Sequence, residues 1–439
     1  MANEAETDSG AVGGRVQDMA VRSGPLVEED PDGSVAQPAP SIVLVGTSFK
    51  SAPLAFRERA AKELSSTGND GLVADTPGVI ESSVIETCNR LEVYIAATDP
   101  AAAAASLLSR LDGGSNGFYV KSGVDAISHI FRVASGLDSV VLGEDQILQQ
   151  VREAGRKARV SGTAKSTLSP LFDAACSVGG RVRATYSIPP SRRSMSAFAL
   201  GYALGELGHR PKAALLIGTG ETAKLAALEL DGTKIYLLSR RRALGSRFAA
   251  ATRIRSRDLR KVAFECELIV SATRHPGYVL KKNDVADDRK RIILDLAFPR
   301  NVDPRLKSCN LVRLYDLDDL AGAVGPIPHD QGLEASERLI QAEAERFNRW
   351  LVATRLTPTL AGIYRWAEVV REDEVGLALR RLSGLSEKER KVVEVMSRRL
   401  VSKLMAPHAA FAKQGGDELN QPERLRLLKS IFGERATED

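Results

Sequence analysis

Apolar and polar positions change period several times along this chain, and the changes mark its elements. Ser82-Ser83-Val84-Ile85 reads as a buried strand, and Val93-Tyr94-Ile95 resumes the apolar pattern after a polar gap. From Ala213 the pattern becomes strand, glycine turn, helix through Leu230 and a second strand at 235–238; further strands are predicted at 268–273 and 292–297. Beyond about Gly325 the pattern is helical and strongly charged. Glu334 to Trp350 runs without a breaker, and Thr357-Pro358-Thr359 predicts an interruption before a second helix over 360–382. The run 129–147 interleaves polar and apolar side chains in a way that neither a plain helix nor a plain strand explains, and is expected to line a pocket. Residues 1–40 have no period at all. Gly, Pro, Ser, Ala and acidic residues dominate there, which predicts a disordered tail.

Composition narrows the class. A chain of 439 residues with 43% hydrophobic content is large enough for several domains, and no apolar run approaches a membrane span. The tail carries eight acids against Arg15 and Arg22, unlike a signal or transit peptide, so a cytoplasmic protein is expected. Removing that tail leaves the rest more basic than the formal net charge of +5, which is compatible with a nucleic-acid partner. The four cysteines, Cys88, Cys176, Cys266 and Cys309, show no paired ligand spacing, so neither a metal site nor a disulfide framework is expected. Cys176, Cys266 and Cys309 lie in or beside helix and strand patterns and read as packing residues.

Cys88 differs. It sits in Glu86-Thr87-Cys88-Asn89-Arg90-Leu91-Glu92, between two predicted strands, where a thiol is exposed to chemistry rather than locked in an element. The nearby Arg90 is expected to favour thiolate and to offer a bidentate grip to a carboxylate. Downstream, Gly218-Thr219-Gly220-Glu221-Thr222-Ala223 is a G-x-G-x-x-A fingerprint in strand, turn and helix context, suited to a dinucleotide pyrophosphate. At the end of the second strand, where an acid would select NAD, stand Ser239-Arg240-Arg241-Arg242, which favour a 2′-phosphate and hence NADPH.

Cys88 and its flanks, together with the run 129–147, resemble the glutamyl-tRNA reductase family, and the similarity extends from about Ile42 to Phe432. The resemblance implies NADPH-dependent reduction of glutamyl-tRNA(Glu) to glutamate-1-semialdehyde through a cysteine thioester, the first step of tetrapyrrole synthesis. It implies Cys88 as nucleophile, His129 as a second catalytic residue, and Thr87, Arg90, Ser139, Glu144 and Gln146 as the glutamate pocket. It also implies a homodimer, and the reactivity of the aldehyde makes glutamate-1-semialdehyde aminomutase an expected partner. Two departures stand out. Phe49 occupies a position where many members carry His, and Gly180-Arg181-Val182-Arg183-Ala184-Thr185 keeps both arginines of a basic motif without its flanking Lys and Glu. Arg181 and Arg183 are candidates for phosphate contact, with a solvated helix face as the alternative.

The expected fold is a multidomain α/β protein: a disordered tail (1–40), an α/β catalytic domain (41–190), a Rossmann-type NADPH domain (191–324) and a helical dimerisation domain (325–439). A pivot between the first two folded parts is expected near 187–196, around Pro189-Pro190. Two other readings stay open: a thiol-dependent or shikimate-dehydrogenase-like oxidoreductase that does not use tRNA, and a non-catalytic tRNA-binding paralogue.

Overall fold

The computed structural model describes residues 40–66, 73, 76–111, 116–185, 194–240, 248–325 and 331–413. The tail expected to be disordered, most of the expected pivot, and Arg241 and Arg242 lie outside them. Strands β1 (Ser41–Ser48), β2 (Val79–Glu86), β3 (Arg90–Ala97) and β4 (Tyr119–Ser122) form an antiparallel sheet in the order β2-β3-β1-β4. Side chains alternate across it. Val43, Val45, Val93 and Ile95 face helices α1 (Leu54–Ser66) and α2 (Pro100–Arg110), whereas Ile42, Leu44, Tyr94 and Ala96 face α3 (Gly123–Ser135), α4 (Asp145–Val160) and α5 (Leu168–Thr185). Burial on both faces is why these strands read as apolar runs.

The run 129–147 is a helix, a loop and a helix rather than one irregular wall. α3 ends at Gly136, whose φ of +77° supplies the left-handed cap; a β-carbon on this residue would lie 2.9 Å from the Gly143 α-carbon. Residues between the two glycines fold into a compact loop, and α4 starts at Asp145. Arg183 on α5 fastens that loop, donating to the carbonyls of Glu144 at 2.5 Å and Gly143 at 3.3 Å and pairing with Asp145 at 3.1 Å. Arg181 pairs with Glu343 at 2.8 Å. Both arginines are paired within the fold, Arg183 largely buried and Arg181 on an exposed face.

After α6 (Met195–Leu207), strands β5 (Ala213–Ile217), β6 (Lys234–Leu238), β7 (Thr252–Ile254), β8 (Leu268–Ser271), β9 (Arg291–Asp295) and β10 (Val312–Tyr315) form a parallel sheet. Its order is β10-β9-β8-β5-β6-β7, so the direction of winding reverses between β5 and β8, where ligands bind in open sheets of this kind. Helices α7 (Glu221–Glu229), α8 (Leu259–Glu265) and α9 (Leu317–Ala323) connect or follow the strands.

Two helices complete the described chain, α10 (Gln331–Arg381) and α11 (Glu387–Lys413). The interruption expected at Thr357-Pro358-Thr359 is absent: α10 continues through Pro358 for 51 residues. A proline costs one hydrogen bond, but the turns on either side are anchored, with Phe347 and Leu351 before it and Ile363 and Ala367 after it buried. Ile340, Ala344, Phe347 and Leu351 belong to the same core as α3 and α5, so the first half of α10 is built into the amino-terminal domain. Among the described residues, no helix is long and apolar enough to cross a membrane.

Candidate active site

Cys88 occupies the tip of the tight connection between β2 and β3. Thr87 shapes it: its hydroxyl accepts from the backbone N–H groups of Asn89 at 3.2 Å and Arg90 at 3.1 Å, and its own N–H donates to the Arg90 carbonyl at 2.9 Å. The loop is held from outside as well. Phe49 N–H donates to the Asn89 carbonyl at 2.9 Å, and Arg57 Nη1 donates to the Cys88 carbonyl at 2.6 Å. The sulfur-bearing residue remains half-buried, and the other cysteines include the fully buried Cys266 in the core of the parallel sheet.

Arg90, Glu92 and Tyr94 alternate along β3 and therefore point to one face, where they build a buried polar network. Glu92 is its centre. Its carboxylate accepts from Arg90 Nη1 at 2.8 Å, from the hydroxyls of Tyr94 at 2.8 Å and Tyr119 at 2.7 Å, and from His129 Nε2 at 2.8 Å. Burial works against its charge, yet His129 and Arg90 outweigh burial and hold Glu92 well below the usual carboxylate range. An ionised carboxylate only accepts, so His129 must donate from Nε2, leaving Nδ1 as the ring atom able to exchange a proton. Arg90 also pairs with Asp138 at 3.0 Å, and Lys50 meets the other Asp138 oxygen at 2.5 Å.

The surroundings of Cys88 change its expected electrostatics. Burial, followed by the Glu144 carboxylate, pushes the Cys88 thiol up to about 12, and Arg57 and Arg90 pull it down only in part. The expectation that Arg90 would leave the thiol easily ionised is therefore corrected for this state of the site. The cause is burial together with the Glu144 carboxylate, which outweigh the guanidinium even though Arg90 acts in the expected direction. Of the two guanidiniums near Cys88, Arg57 is the one that touches its residue.

The other expected pocket residues lie on or beside the segment that Asp138 ties to Arg90. Ser139 and Glu144 are buried in the segment between α3 and α4, and Gln146 is half-buried in the first turn of α4. Burial pushes Glu144 up to about 7, although the Met195 N–H and Arg90 act in the opposite direction. Met195 opens α6, so Glu144 reaches from the loop to the first helix of the nucleotide domain. Phe49 likewise packs into the cluster formed by Val140, Val141, Met195 and the parallel sheet. An aromatic ring at this position is accounted for by that apolar seam.

At the reversal point of the parallel sheet, Gly218 has φ of +114° and a β-carbon there would collide with the Ala272 carbonyl oxygen, so only glycine fits. Gly220 caps α7 without a side-chain hydrogen bond, which leaves the N–H groups of the first turn directed at the crevice. Thr219 and Thr222 are half-exposed beside it, Glu221 is exposed, and Ala223 is buried where helix meets strand. These residues fit a nucleotide pyrophosphate. Ser239 and Arg240 follow β6 as expected, and Arg253 of β7, which sequence reading passed over, donates to the Ser239 carbonyl at 3.2 Å and 3.4 Å. Arg57, Glu92, Tyr119 and Asp318 were also missed; the period-two alternation Arg90, Glu92, Tyr94 was the available signal for Glu92.

Three family models match separate stretches of the chain. Residues 45–186 match the glutamyl-tRNAGlu reductase N-terminal domain, residues 335–434 its dimerisation domain, and residues 203–323 the shikimate / quinate 5-dehydrogenase family. The last match and the crevice at the sheet's reversal point indicate a pyridine-nucleotide domain. The chain is 31% identical over 424 residues to a glutamyl-tRNA reductase of Syntrophotalea carbinolica, covering 89% of this chain and 94% of that protein. It is 33% identical over 420 residues to one of Desulfatibacillum aliphaticivorans, covering 89% and 96%. A solved glutamyl-tRNA reductase from Methanopyrus kandleri is 26% identical, with a TM-score of 0.45 over 89% of this chain and 98% of that one. With relatives above 30% identity spanning almost their whole length, this chain belongs to the glutamyl-tRNA reductase family.

Proposed function

We propose that this protein reduces the glutamyl group of glutamyl-tRNA(Glu) to glutamate-1-semialdehyde with NADPH, using Cys88 as the nucleophile. The observation that carries this reading is the placement of Cys88 on a loop clamped from both sides, beside a buried polar network and next to a domain of dinucleotide-binding type. A carboxylate resists hydride because its charge and resonance quench the carbonyl, whereas a thioester does not. Cys88 sulfur attacks the ester carbonyl, the C–O bond to the tRNA ribose breaks, and the ribose oxygen leaves as a hydroxyl after taking the thiol proton. Splitting the reaction this way converts one difficult displacement into two easier ones.

Within this reading Arg90, Thr87, Ser139, Glu144 and Gln146 surround the glutamyl group. His129 Nδ1 is the proton-exchanging atom, because Nε2 is committed to Glu92. A thiol pushed up to about 12 attacks as a base takes its proton, and the Glu144 carboxylate, whose charge opposes ionisation of Cys88, is not that base. Gly218, Thr219, Gly220, Glu221, Thr222 and Ala223 would hold the pyrophosphate, and Ser239, Arg240 and Arg253 the 2′-phosphate that distinguishes NADPH. When bound, the nucleotide supplies the hydride that turns thioester into aldehyde and returns the thiol.

The homodimer rests on α10 and α11, which expose Val369, Val370, Leu377, Val392, Val395 and Met396 to solvent in the single chain. Cytoplasmic placement follows from the substrate, and passing a reactive aldehyde directly to the aminomutase would spare it from side reactions with amines. The test is a reaction of purified protein with glutamyl-tRNA and either nucleotide. Wild type should give semialdehyde with NADPH preferred, Cys88→Ser should give none, and Arg253→Ala should narrow the NADPH preference. Aldehyde from free glutamate or an acyl-CoA, with no dependence on tRNA, would overturn the reading.

A further inference from the structure

The first turn of α1 touches two domains at once. The Leu54 N–H, the opening residue of the helix, donates at 2.6 Å to Asp318 Oδ2 of α9, so the helix is capped by a side chain 264 residues away. Arg57, 1% exposed, spans from the Cys88 carbonyl to the other Asp318 oxygen, and its Nε meets no partner among the described residues. Its directed bonding thus goes to the nucleophile loop on one side and the nucleotide domain on the other. Glu58, the next residue, accepts from the Arg300 backbone N–H at 2.6 Å and pairs with its guanidinium at 2.7 Å. Arg300 follows β9 at the carboxyl end of the parallel sheet, the end that faces a bound nucleotide.

We propose that this turn is a bolt between the nucleotide domain and the Cys88 loop, with Arg57 and Asp318 as positioning residues and Glu58–Arg300 as its second pin. The inference rests on the thioester reading above, because its consequence is stepwise. Hydride transfer needs donor and acceptor atoms held within about 3–3.5 Å, across a domain boundary. Acylation of Cys88 by the ester needs only the amino-terminal domain. Opening the bolt should therefore spare acylation and slow reduction, leaving the thioester to react with water, which gives glutamate and the free thiol.

Glu58→Gln, Arg300→Gln and the exchange pair Glu58→Arg with Arg300→Glu test this in the full-length protein. Hydrogen exchange is the first readout and needs no substrate. Either single variant should speed exchange in the peptide covering residues 298–302 and also in the peptide covering 54–57, whose Leu54 amide is capped by Asp318 and not by either substituted residue. Single-turnover chemistry is the second. Acylation of Cys88 without nucleotide should stay within about twofold of wild type, while aldehyde formation falls about 10–100-fold and the product shifts toward glutamate. The exchange pair should restore aldehyde. Unchanged exchange at 54–57, a parallel fall in acylation and reduction, or failure of the exchange pair to restore aldehyde would each overturn the bolt. If wild type neither acylates nor makes aldehyde, the thioester reading fails, and the exchange readout still decides whether the two pins open together.

Discussion

Glu144 and Glu92 show how one residue type takes opposite states within a single site. Glu92 is surrounded by donors and held ionised, whereas Glu144 has one backbone donor from Met195 and is pushed up to about 7 by burial. The signs of their pH dependence follow. Glu92 and Asp138 are lowered in the folded state, so their contribution is present above the ordinary carboxylate range and is lost as pH falls below it. Glu144 is raised, so its contribution is complete below about pH 4.5 and is lost as pH rises through about 7. Glu144→Gln keeps an acceptor for Met195 and removes the charge. It should stabilise the protein at pH 8 relative to pH 5 by roughly 2–3 kcal/mol, read from urea unfolding at the two pH values. It should also speed alkylation of Cys88 at pH 8, by about tenfold for each unit the thiol falls. Slower alkylation would mean that Glu144 assists rather than opposes ionisation.

At the scale of elements, strands and helices were mostly legible because local period carries them. β5 runs over the predicted 213–217, and the strands predicted at 268–273 and 292–297 appear as β8 and β9, each ending two residues earlier. What stayed hidden is non-local. Nothing near Arg57 in sequence announces a bond to Cys88 31 residues on or to Asp318 261 residues on. The ionisation of Cys88 was equally invisible, since it depends on burial and on a Glu144 carboxylate that only the fold brings near it. Pro358 misled for the opposite reason: the local rule is sound, but anchored turns on both sides override it. Because the helix is continuous there, Pro358→Ala restores a backbone donor and should raise stability by about 1–3 kcal/mol, visible as a higher Tm. A lower Tm would show that the ring itself is packed.

For the whole molecule, the seating of α10 divides the helical region into two parts with different jobs. Ile340, Ala344, Phe347 and Leu351 complete the core of the amino-terminal domain, while Val369, Val370 and Leu377 of α10 and Val392, Val395 and Met396 of α11 stand exposed. A chain ending at residue 353 should remain folded and become monomeric by light scattering. One ending at residue 325 removes several large buried side chains, at about 1.5–3 kcal/mol each, and should aggregate. A folded monomer from the shorter chain would show that the core closes without α10.

A 51-residue rod, about 75 Å long, is rooted at one end beside the helices that carry His129 and Arg183. It is a lever arm with its fulcrum in the catalytic layer. Because its first turns share a core with those helices, a pull on the far end by a second subunit would act on that layer first, and relative travel would fall to the nucleotide domain.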